Sequence, residues 1–272
     1  NLENMHASDV RQLIRNEEIT GPTAGMAKGY TQANLVILKK EHAYDFLLFC
    51  QRNPKSCPLL DMTDIGSYQP KRLATDANIL TDIPKYRIYK NGEYVEEVTD
   101  ITAYWEKDMV GFLIGCSFTF ETPLLENGIP VRHIEENCNV PMYKTNMMCD
   151  EAGVFSGPTV VSMRPMSPRD AIRATQITSR FPDVHGAPLH IGDPSLIGIS
   201  DIAKPNFGDS VTIKKGEVPV FWACGVTPQA VIMESKPSIM ISHAPGCMFI
   251  SDMQDKTLSV MTATRHYYQP GF

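Results

Sequence analysis

The chain has 272 residues and a formal net charge of −6, and 43% of its residues are hydrophobic against 21% charged. A chain of this size and composition buries enough apolar surface to fold without disulfides or metals. The acidic balance excludes a general nucleic-acid binder, which needs a basic surface to displace counterions from phosphate. No apolar run reaches the roughly 20 residues of a membrane helix, so we expect no membrane contact and a cytoplasmic location.

Seven cysteines are spread along the chain at an odd count and without a C-x-x-C spacing. Together with the lack of an apolar export signal near the start of the sequence, this pattern predicts reduced thiols. No pair of ligands has zinc-finger spacing. We therefore expect no structural metal and no other cofactor.

The first hundred residues alternate helix and strand signals. The predicted elements are a helix capped by Ser8 or Asp9 and ending at Arg15, a glycine-rich loop at 21–29, strands at 33–38 and 58–62 around a helix at 41–51, and a hairpin at 86–98. The hairpin rests on Asn91-Gly92, the strongest short turn signal between alternating runs. The strand–helix–strand order predicts a partly parallel sheet covered by helices.

The middle of the chain has a different pattern of predicted elements. Short strands are predicted at 129–134, 140–145, 158–163 and 188–191, with one helix that starts at Ser167-Pro168 and ends near Phe181. Several strands with a single helix are typical of a two-layer α+β unit. The apolar run at 218–223 then predicts another buried strand, and further strand candidates follow at 239–242 and 248–250. We predict an α/β fold in which residues 1–121 and 218–272 form a discontinuous α/β domain and residues 122–217 form an inserted α+β domain.

Eight segments carry a resemblance to a known family. They are GPTAGMAKGYTQANLVIL at 21–38, DFLLFCQRNPKSCPLL at 45–60, FLIGCSFTFE at 112–121, IPVRHIEENCNVPMYKTN at 129–146, GPTVVSMRP at 157–165, ITSRFPDVHGAPLHIGDP at 177–194, FWACGVTPQ at 221–229 and SHAPGCMFISD at 242–252. In this order they resemble the D-glutamate cyclase and hydro-lyase family from about Asp9 to Asp252. The tail after Asp252 departs from that pattern.

The resemblance implies a larger three-layer α/β domain with a smaller two-layer α+β part. It also implies a reaction, the cyclisation of D-glutamate to 5-oxo-D-proline with loss of water, or more broadly a hydro-lyase activity on a small carboxylic or amino acid. It supplies no catalytic residues. The candidate site residues below therefore come from the chemistry of the side chains.

The junction at 223–229 is the sharpest local signal, because a strand, a glycine turn and a helix start follow one another. Thr227 is predicted to cap the helix and Pro228 to occupy its first position. Free amides there would attract a carboxylate, which makes Gly225, Thr227 and Gln229 substrate-binding candidates. Cys224 lies at the mouth, where the helix dipole would lower its thiol pKa. The alternative is a buried cysteine in a well-packed junction.

Cys116 follows Gly115 at the end of an apolar run, in a similar setting to Cys224. Two such thiols would suit the opposed acid and base of a cofactor-independent racemase or isomerase. The alternative is that both are small core residues.

Two histidines are candidates for acid–base catalysis. His243 lies beside a Pro-Gly turn at a strand end, and histidine is the usual acid or base at neutral pH. His190 belongs to a set with His185 and Asp193 whose spacing matches no known metal motif, so we expect a site role without metal. Either histidine could instead be structural.

Recognition of a carboxylate favours arginine, whose guanidinium binds it with two parallel hydrogen bonds. Arg132, predicted on a strand, Arg164 and Arg180 are the candidates, with solvated surface arginine as the alternative for each. Gln32 and Asn34 lie on one face of the first strand by alternation and are further substrate-binding candidates.

Three functions remain open from the sequence. The first is a lyase or cyclase with its site between the two domains, where pockets are common. The others are a racemase or isomerase using the cysteine pair and a non-catalytic carboxylate-binding protein. All three predict a small carboxylate or amino acid as partner, no nucleic acid and no membrane, and they leave a homo-oligomer open.

Overall fold

A computed structural model describes residues 2–260, in which eleven strands form two sheets. The strands are β1 Tyr30–Lys39, β2 Leu59–Met62, β3 Tyr86–Lys90, β4 Glu93–Val98, β5 Met109–Gly115, β6 Met142–Met148, β7 Pro158–Met166, β8 His190–Ile191, β9 Val218–Ala223, β10 Met240–His243 and β11 Phe249–Gln254. The helices are α1 Ala7–Arg15, α2 Lys40–Arg52, α3 Phe118–Glu126, α4 Arg132–Glu135, α5 Pro168–Thr178 and α6 Val226–Ser235, with short 3-10 turns at Leu2–Asn4, Thr102–Tyr104, Pro182–Val184, Pro194–Ile197 and Asp255–Leu258. The chain is thus a mixed α/β protein.

The first sheet has the order β2-β5-β1-β10-β3-β4, and β11 pairs with the start of β1 beside β10. Every ladder in it is antiparallel, so the predicted partly parallel sheet is wrong. The reason is the position of β5, which lies between β1 and β2. Both of these strands run antiparallel to β5 and hence parallel to each other, but they are not neighbours. The strand–helix–strand unit exists without a parallel ladder.

The second sheet has the order β6-β7-β9-β8 and is also antiparallel. The strand predicted at 129–134 is wrong, because Arg132 begins the short helix α4. Its guanidinium Nε lies 2.8 Å from Glu135 Oε2, one helical turn on, and it also pairs with Glu217. These ion pairs favour a helical turn over an extended segment at this point.

The hairpin of β3 and β4 confirms the Asn-Gly signal. Asn91 and Gly92 both have positive φ, 52° and 82°. Positive φ at both central residues is the type I′ geometry whose twist matches that of the flanking strands.

One hydrophobic core extends across both sheets. It includes Leu113 of the first sheet, Trp222 of the second and Phe120 of α3, and the rings of Phe120 and Trp222 lie 5.6 Å apart. Because this core is continuous, the domain boundaries at 122 and 217 and the division into three and two layers stay predictions. The tail after Asp252 completes β11 and one 3-10 turn, and residues 261–272 lie outside the described range.

Within residues 2–260 no helix combines the length and the apolar character needed to cross a bilayer.

Helix α1 is held to the first sheet by a buried arginine. Its N-cap is His6, two or three residues before the predicted Ser8 or Asp9. Arg11, 1% exposed, donates to the Ile250 carbonyl at 3.0 Å, to Asp252 at 2.9 Å and to Asp76 at 2.8 Å.

Replacing Arg11 with Met is expected to lower the free energy of unfolding by about 1.5–3 kcal/mol, the range for charged hydrogen bonds. The loss stays moderate because Asp76 and Asp252 are 67% and 35% exposed and regain water. Urea unfolding followed by circular dichroism measures it. Arg72→Met, at an exposed residue, serves as control and should change stability by less than about 0.5 kcal/mol; equal effects of the two variants would contradict the prediction.

Candidate active site

Two strand-to-helix junctions of the same design, one from each sheet, form the candidate site. The first runs from β5 through Cys116 to α3, and the second from β9 through Cys224 to α6. In each, the backbone N–H of the first helix residue, Phe118 or Val226, donates towards the cysteine sulfur. Helix α6 begins at Val226 with Gly225 as N-cap, so Thr227 is not the cap, contrary to the sequence-based expectation. Its hydroxyl instead bonds the backbone of Val160 in β7.

Asn34 of β1 connects the two junctions. Its Nδ2 donates to the Gly115 carbonyl at 3.0 Å, and a Cβ built on Gly225 would lie only 2.5 Å from the same nitrogen. Glycine at 225 therefore lets the start of α6 approach β1, which no other residue would allow without displacing the amide. The junction is not sealed, because Gly225 and Val226 are partly exposed.

A buried ion pair lies beneath the junctions. Arg164 of β7 is fully buried and pairs with Glu121 in the first turn of α3, with Nε 3.0 Å from Oε1. The guanidinium also donates to Ser162 Oγ at 3.0 Å and to Ser117 Oγ, the N-cap residue of α3, at 3.2 Å. His133 of α4 approaches the same carboxylate oxygen, with Nε2 at 3.3 Å. Arg164 thus ties the second sheet to the α3 junction.

Burial raises the pKa of the Cys116 thiol to about 12, and repulsion from Cys224 and Glu121 adds to the rise. Burial also raises the pKa of Cys224, again with a contribution from Glu121 and an opposing one from Arg164. Because both thiols respond to the same two charges, the four side chains form one electrostatic cluster. The expectation of a lowered pKa at Cys224 is wrong, since desolvation outweighs the helix amides. Both groups are thiols at neutral pH.

Burial raises the pKa of the Glu121 carboxyl, but attraction to Arg164 and His133 outweighs burial and brings it below its usual value. Glu121 is therefore ionised at neutral pH. The site presents two thiols, two sets of helix N-terminal amides and one carboxylate held by an arginine.

Other predicted site residues contact neighbours of their own. Gln32 holds the glycine-rich loop, since its amide bonds the hydroxyl of Thr23 at 2.7 Å and the carbonyl of Thr23 at 3.0 Å. His243 fills the gap where β10 leaves β1, and its Nδ1 accepts from the Leu35 amide at 3.1 Å. Burial lowers the pKa of His243 to about 4, so it is neutral at physiological pH.

Of the remaining candidates, Gln229 lies in the first turn of α6, and the other three are not brought to the junctions by any contact within residues 2–260. Arg132 is occupied by Glu135 and Glu217. Arg180 is exposed just after α5, and the side chains of Arg180 and Gln229 make no hydrogen bond to the described residues. His190 Nε2 lies 2.8 Å from the Asp193 carbonyl in its own turn.

Residues 2–260 contain no cluster of three side chains suited to a metal ion. A surface cavity of about 340 Å³ lies between β6 and the segment after the Pro194–Ile197 turn, with Tyr143, Lys144 and Lys204 in its wall. None of the junction residues lines it.

Glu121 was missed as a functional candidate, along with the serines that bond Arg164. The sequence holds one signal for Glu121: it is the one charged residue in the stretch FTFETPLL at 118–125. A lone acid in such a stretch points to a buried partner. Nothing in the sequence identifies that partner as Arg164, 43 residues away.

Two buried histidines predict acid-induced unfolding. Burial lowers the pKa of His185 and of His243 to about 4, so between pH 6.5 and 4 the unfolded chain binds more protons than the folded one. Stability should fall with falling pH by about 1.4 kcal/mol per unit for each histidine. Asp255 opposes this loss of stability. Burial raises its pKa to about 6, so as the pH falls the folded chain binds a proton at Asp255 before the unfolded chain does.

Urea unfolding at several pH values between 7 and 4 measures the slope. His185 has φ of 83°, a conformation that asparagine tolerates, so His185→Asn should fold and show a shallower slope below pH 6.5. An unchanged slope in that variant would contradict the assignment.

Comparison with known proteins finds relatives that match almost the whole chain. The family model described as D-glutamate cyclase matches residues 110–252. A protein of Geobacillus kaustophilus provisionally named a hydro-lyase is 66% identical over 257 residues, 94% of this chain and 98% of that protein. Relatives with the same provisional name in Bacillus subtilis and Stutzerimonas stutzeri are each 63% identical, over 94% and 93% of this chain and 100% and 95% of theirs.

Among solved structures, a nitrogen repressor-like protein of Methanococcus jannaschii covers 92% of this chain and 99% of its own, with 12% identity and a TM-score of 0.36, a likeness too weak to argue from. The sequence relatives and the family match place the chain among carbon–oxygen lyases. The chain belongs to the D-glutamate cyclase family.

Proposed function

We propose that this chain cyclises D-glutamate to 5-oxo-D-proline with loss of one water, at the paired junctions of Cys116 and Cys224. The observation that carries the proposal is the pairing itself. Two helices of nine and ten residues, α3 and α6, begin beside the same buried charges, so the positive ends of two helix dipoles lie there. D-glutamate has two carboxylates, and a helix N-terminus is a natural anion site.

In the proposed complex one carboxylate of the substrate lies at each helix start. The positive end of one helix dipole attracts the α-carboxylate. The positive end of the other attracts the γ-carboxyl and stabilises the charge that develops on its oxygen when the amine attacks. Asn34, which contacts both junctions, and Gly225, which lets α6 approach, fix the distance between the two sites.

The proton balance explains the need for the thiols. The substrate ammonium loses two protons, the new C–N bond forms, and one γ-carboxylate oxygen leaves with both protons as water. Because both thiols are protonated at neutral pH, one donates its proton to the departing oxygen, whose other proton is the first one lost by the ammonium. The resulting thiolate, next to a helix amide and the charge of Arg164, then takes the second proton from nitrogen. The thiol is restored at the end of the cycle.

Incubation with D-glutamate followed by mass spectrometry tests the proposal. The expected product is lighter by one water, and L-glutamate serves as the stereochemical control. The product should form in proportion to enzyme and stop when the protein is heat-denatured. Binding of D-glutamate without any loss of water would overturn the cyclisation.

A cofactor-independent racemase or isomerase is the second candidate, and the matched setting of the two thiols favours it. Two thiols in one electrostatic cluster suit removal of a proton from one face of a carbon and its return to the other. Reaction in deuterated water distinguishes the two: deuterium at the α-carbon without loss of water would support racemisation. Saturable binding with neither change would instead indicate a carboxylate-binding protein.

A further inference from the structure

Glu121 uses only one of its two carboxylate oxygens. Oε1 accepts hydrogen bonds from Arg164 Nε and Nη2 and lies 3.3 Å from His133 Nε2. Oε2 accepts no hydrogen bond from residues 2–260. A purely structural arginine–carboxylate pair commonly uses both oxygens in a two-pronged contact. Here the guanidinium also donates to Ser162 through Nη1 and to Ser117 through Nη2.

The second oxygen of Glu121 is also accessible. The buried polar side-chain atoms without a partner in the described residues are Thr119 Oγ1, His133 Nδ1 and His185 Nε2. Glu121 Oε2 is not one of them although the residue is only 5% exposed, so this oxygen keeps contact with solvent. An ionised carboxylate oxygen, open and unpaired beside two buried thiols, is an acceptor that lacks its donor.

The surroundings indicate what the donor is. Glu121 lies in the first turn of α3 beside Cys116, and its charge also raises the pKa of Cys224 at the start of α6. Those starts attract anions, whereas Glu121 repels them. A ligand with carboxylates and one ammonium group satisfies all three elements at once.

We propose that Glu121 binds the amino group of the substrate through Oε2 and accepts the first of its protons. This inference rests on the proposed cyclisation and identifies the substrate as an amino acid. In the step, one N–H bond of the ammonium breaks and its electron pair stays on nitrogen, while an O–H bond forms on Oε2. The amine becomes neutral and free to attack the γ-carboxyl, and Oε2 then passes this proton to the departing oxygen, which leaves as water with the proton that the thiol supplies. Arg164 and His133 both contact Oε1, which leaves Oε2 available for the amino group.

Calorimetric binding of D-glutamate and of glutarate tests the proposal, because glutarate keeps both carboxylates and lacks the amino group. E121Q alone leaves Arg164 buried without its partner, so we pair it with a second change in the variant E121Q/R164M. This variant should weaken binding of D-glutamate roughly 10- to 100-fold more than binding of glutarate. E121D keeps the charge and serves if the double variant does not fold: the shorter side chain should weaken D-glutamate selectively. Glu234→Gln, an exposed acid on α6, is the matched control and should change neither affinity.

Equal weakening of both ligands would show that Glu121 is structural and would overturn the inference. Wild-type protein that binds D-glutamate in a Glu121-dependent way without forming product would overturn the cyclisation alone. Turnover by the wild type with D-glutamate affinity unchanged in the Glu121 variants would overturn the amino-group role alone. Wild type that binds neither ligand would overturn both.

Discussion

Replacing Cys116 and Cys224 with alanine one at a time is expected to lower turnover of D-glutamate roughly 100- to 10,000-fold in at least one of the two variants, the usual contribution of a positioned proton-transfer group. The proposed relay passes a proton from a thiol to the departing oxygen and from nitrogen back to sulfur. Alanine removes the acid and the base at once. Both side chains are small and about nine-tenths buried, so the fold should tolerate the loss of a single sulfur atom better than the reaction does.

Steady-state kinetics measured by mass spectrometry of the product check this expectation. Cys138→Ala is the matched control, because Cys138 is a free thiol outside the junctions and only partly buried; its turnover should match the wild type. Thermal unfolding of each variant separates a loss of chemistry from a loss of folded protein. Turnover within a few-fold of the wild type in both site variants would show that the cysteines are core residues and that the relay does not exist.

Replacing Arg164 with Met is expected to lower the free energy of unfolding by about 3–5 kcal/mol. Methionine fills much of the space but leaves Glu121 as an unpaired charge in a buried site, which is the costly way to break an ion pair. The guanidinium also lies over the rings of Phe120 and Trp222, at 5.2 and 5.4 Å from their centroids, and these contacts are lost as well.

The double variant E121Q/R164M tests the cause. With both charges removed, most of the lost stability should return, because the penalty comes from the carboxylate left alone and not from the absence of the arginine. Chemical denaturation of the single and double variants measures the coupling. Arg169→Met, at an exposed arginine near the start of α5, should change stability by less than about 0.5 kcal/mol. A single variant as stable as the wild type would show that Glu121 is neutral or well hydrated.

Local signals in the sequence located most of the elements. Residues 218–223 form β9 as predicted, and the helix predicted at 41–51 is α2, Lys40–Arg52. Ser167 caps α5 through the Asp170 amide, and Asn91-Gly92 turns the β3–β4 hairpin. These succeed because turns, caps and periodic apolar positions are set by neighbours within a few residues.

The errors arise where a distant partner decides the conformation. The segment at 129–134 has an apolar strand-like texture, but Arg132 meets Glu217, 85 residues away, and a helical turn forms. The sequence also predicted a parallel ladder between β1 and β2, because it does not show that β5 inserts between them.

The sequence by itself determined the family and the alternation of helices and strands, and it singled out the junctions at Cys116 and Cys224 as candidate sites. Only the tertiary structure decided that Cys116 and Cys224 share the field of Arg164 and Glu121, and that burial keeps both thiols protonated. The physical reason is range. Backbone preferences act over a few neighbouring residues, whereas desolvation and charge pairing depend on which distant segments pack together, and no local pattern encodes that.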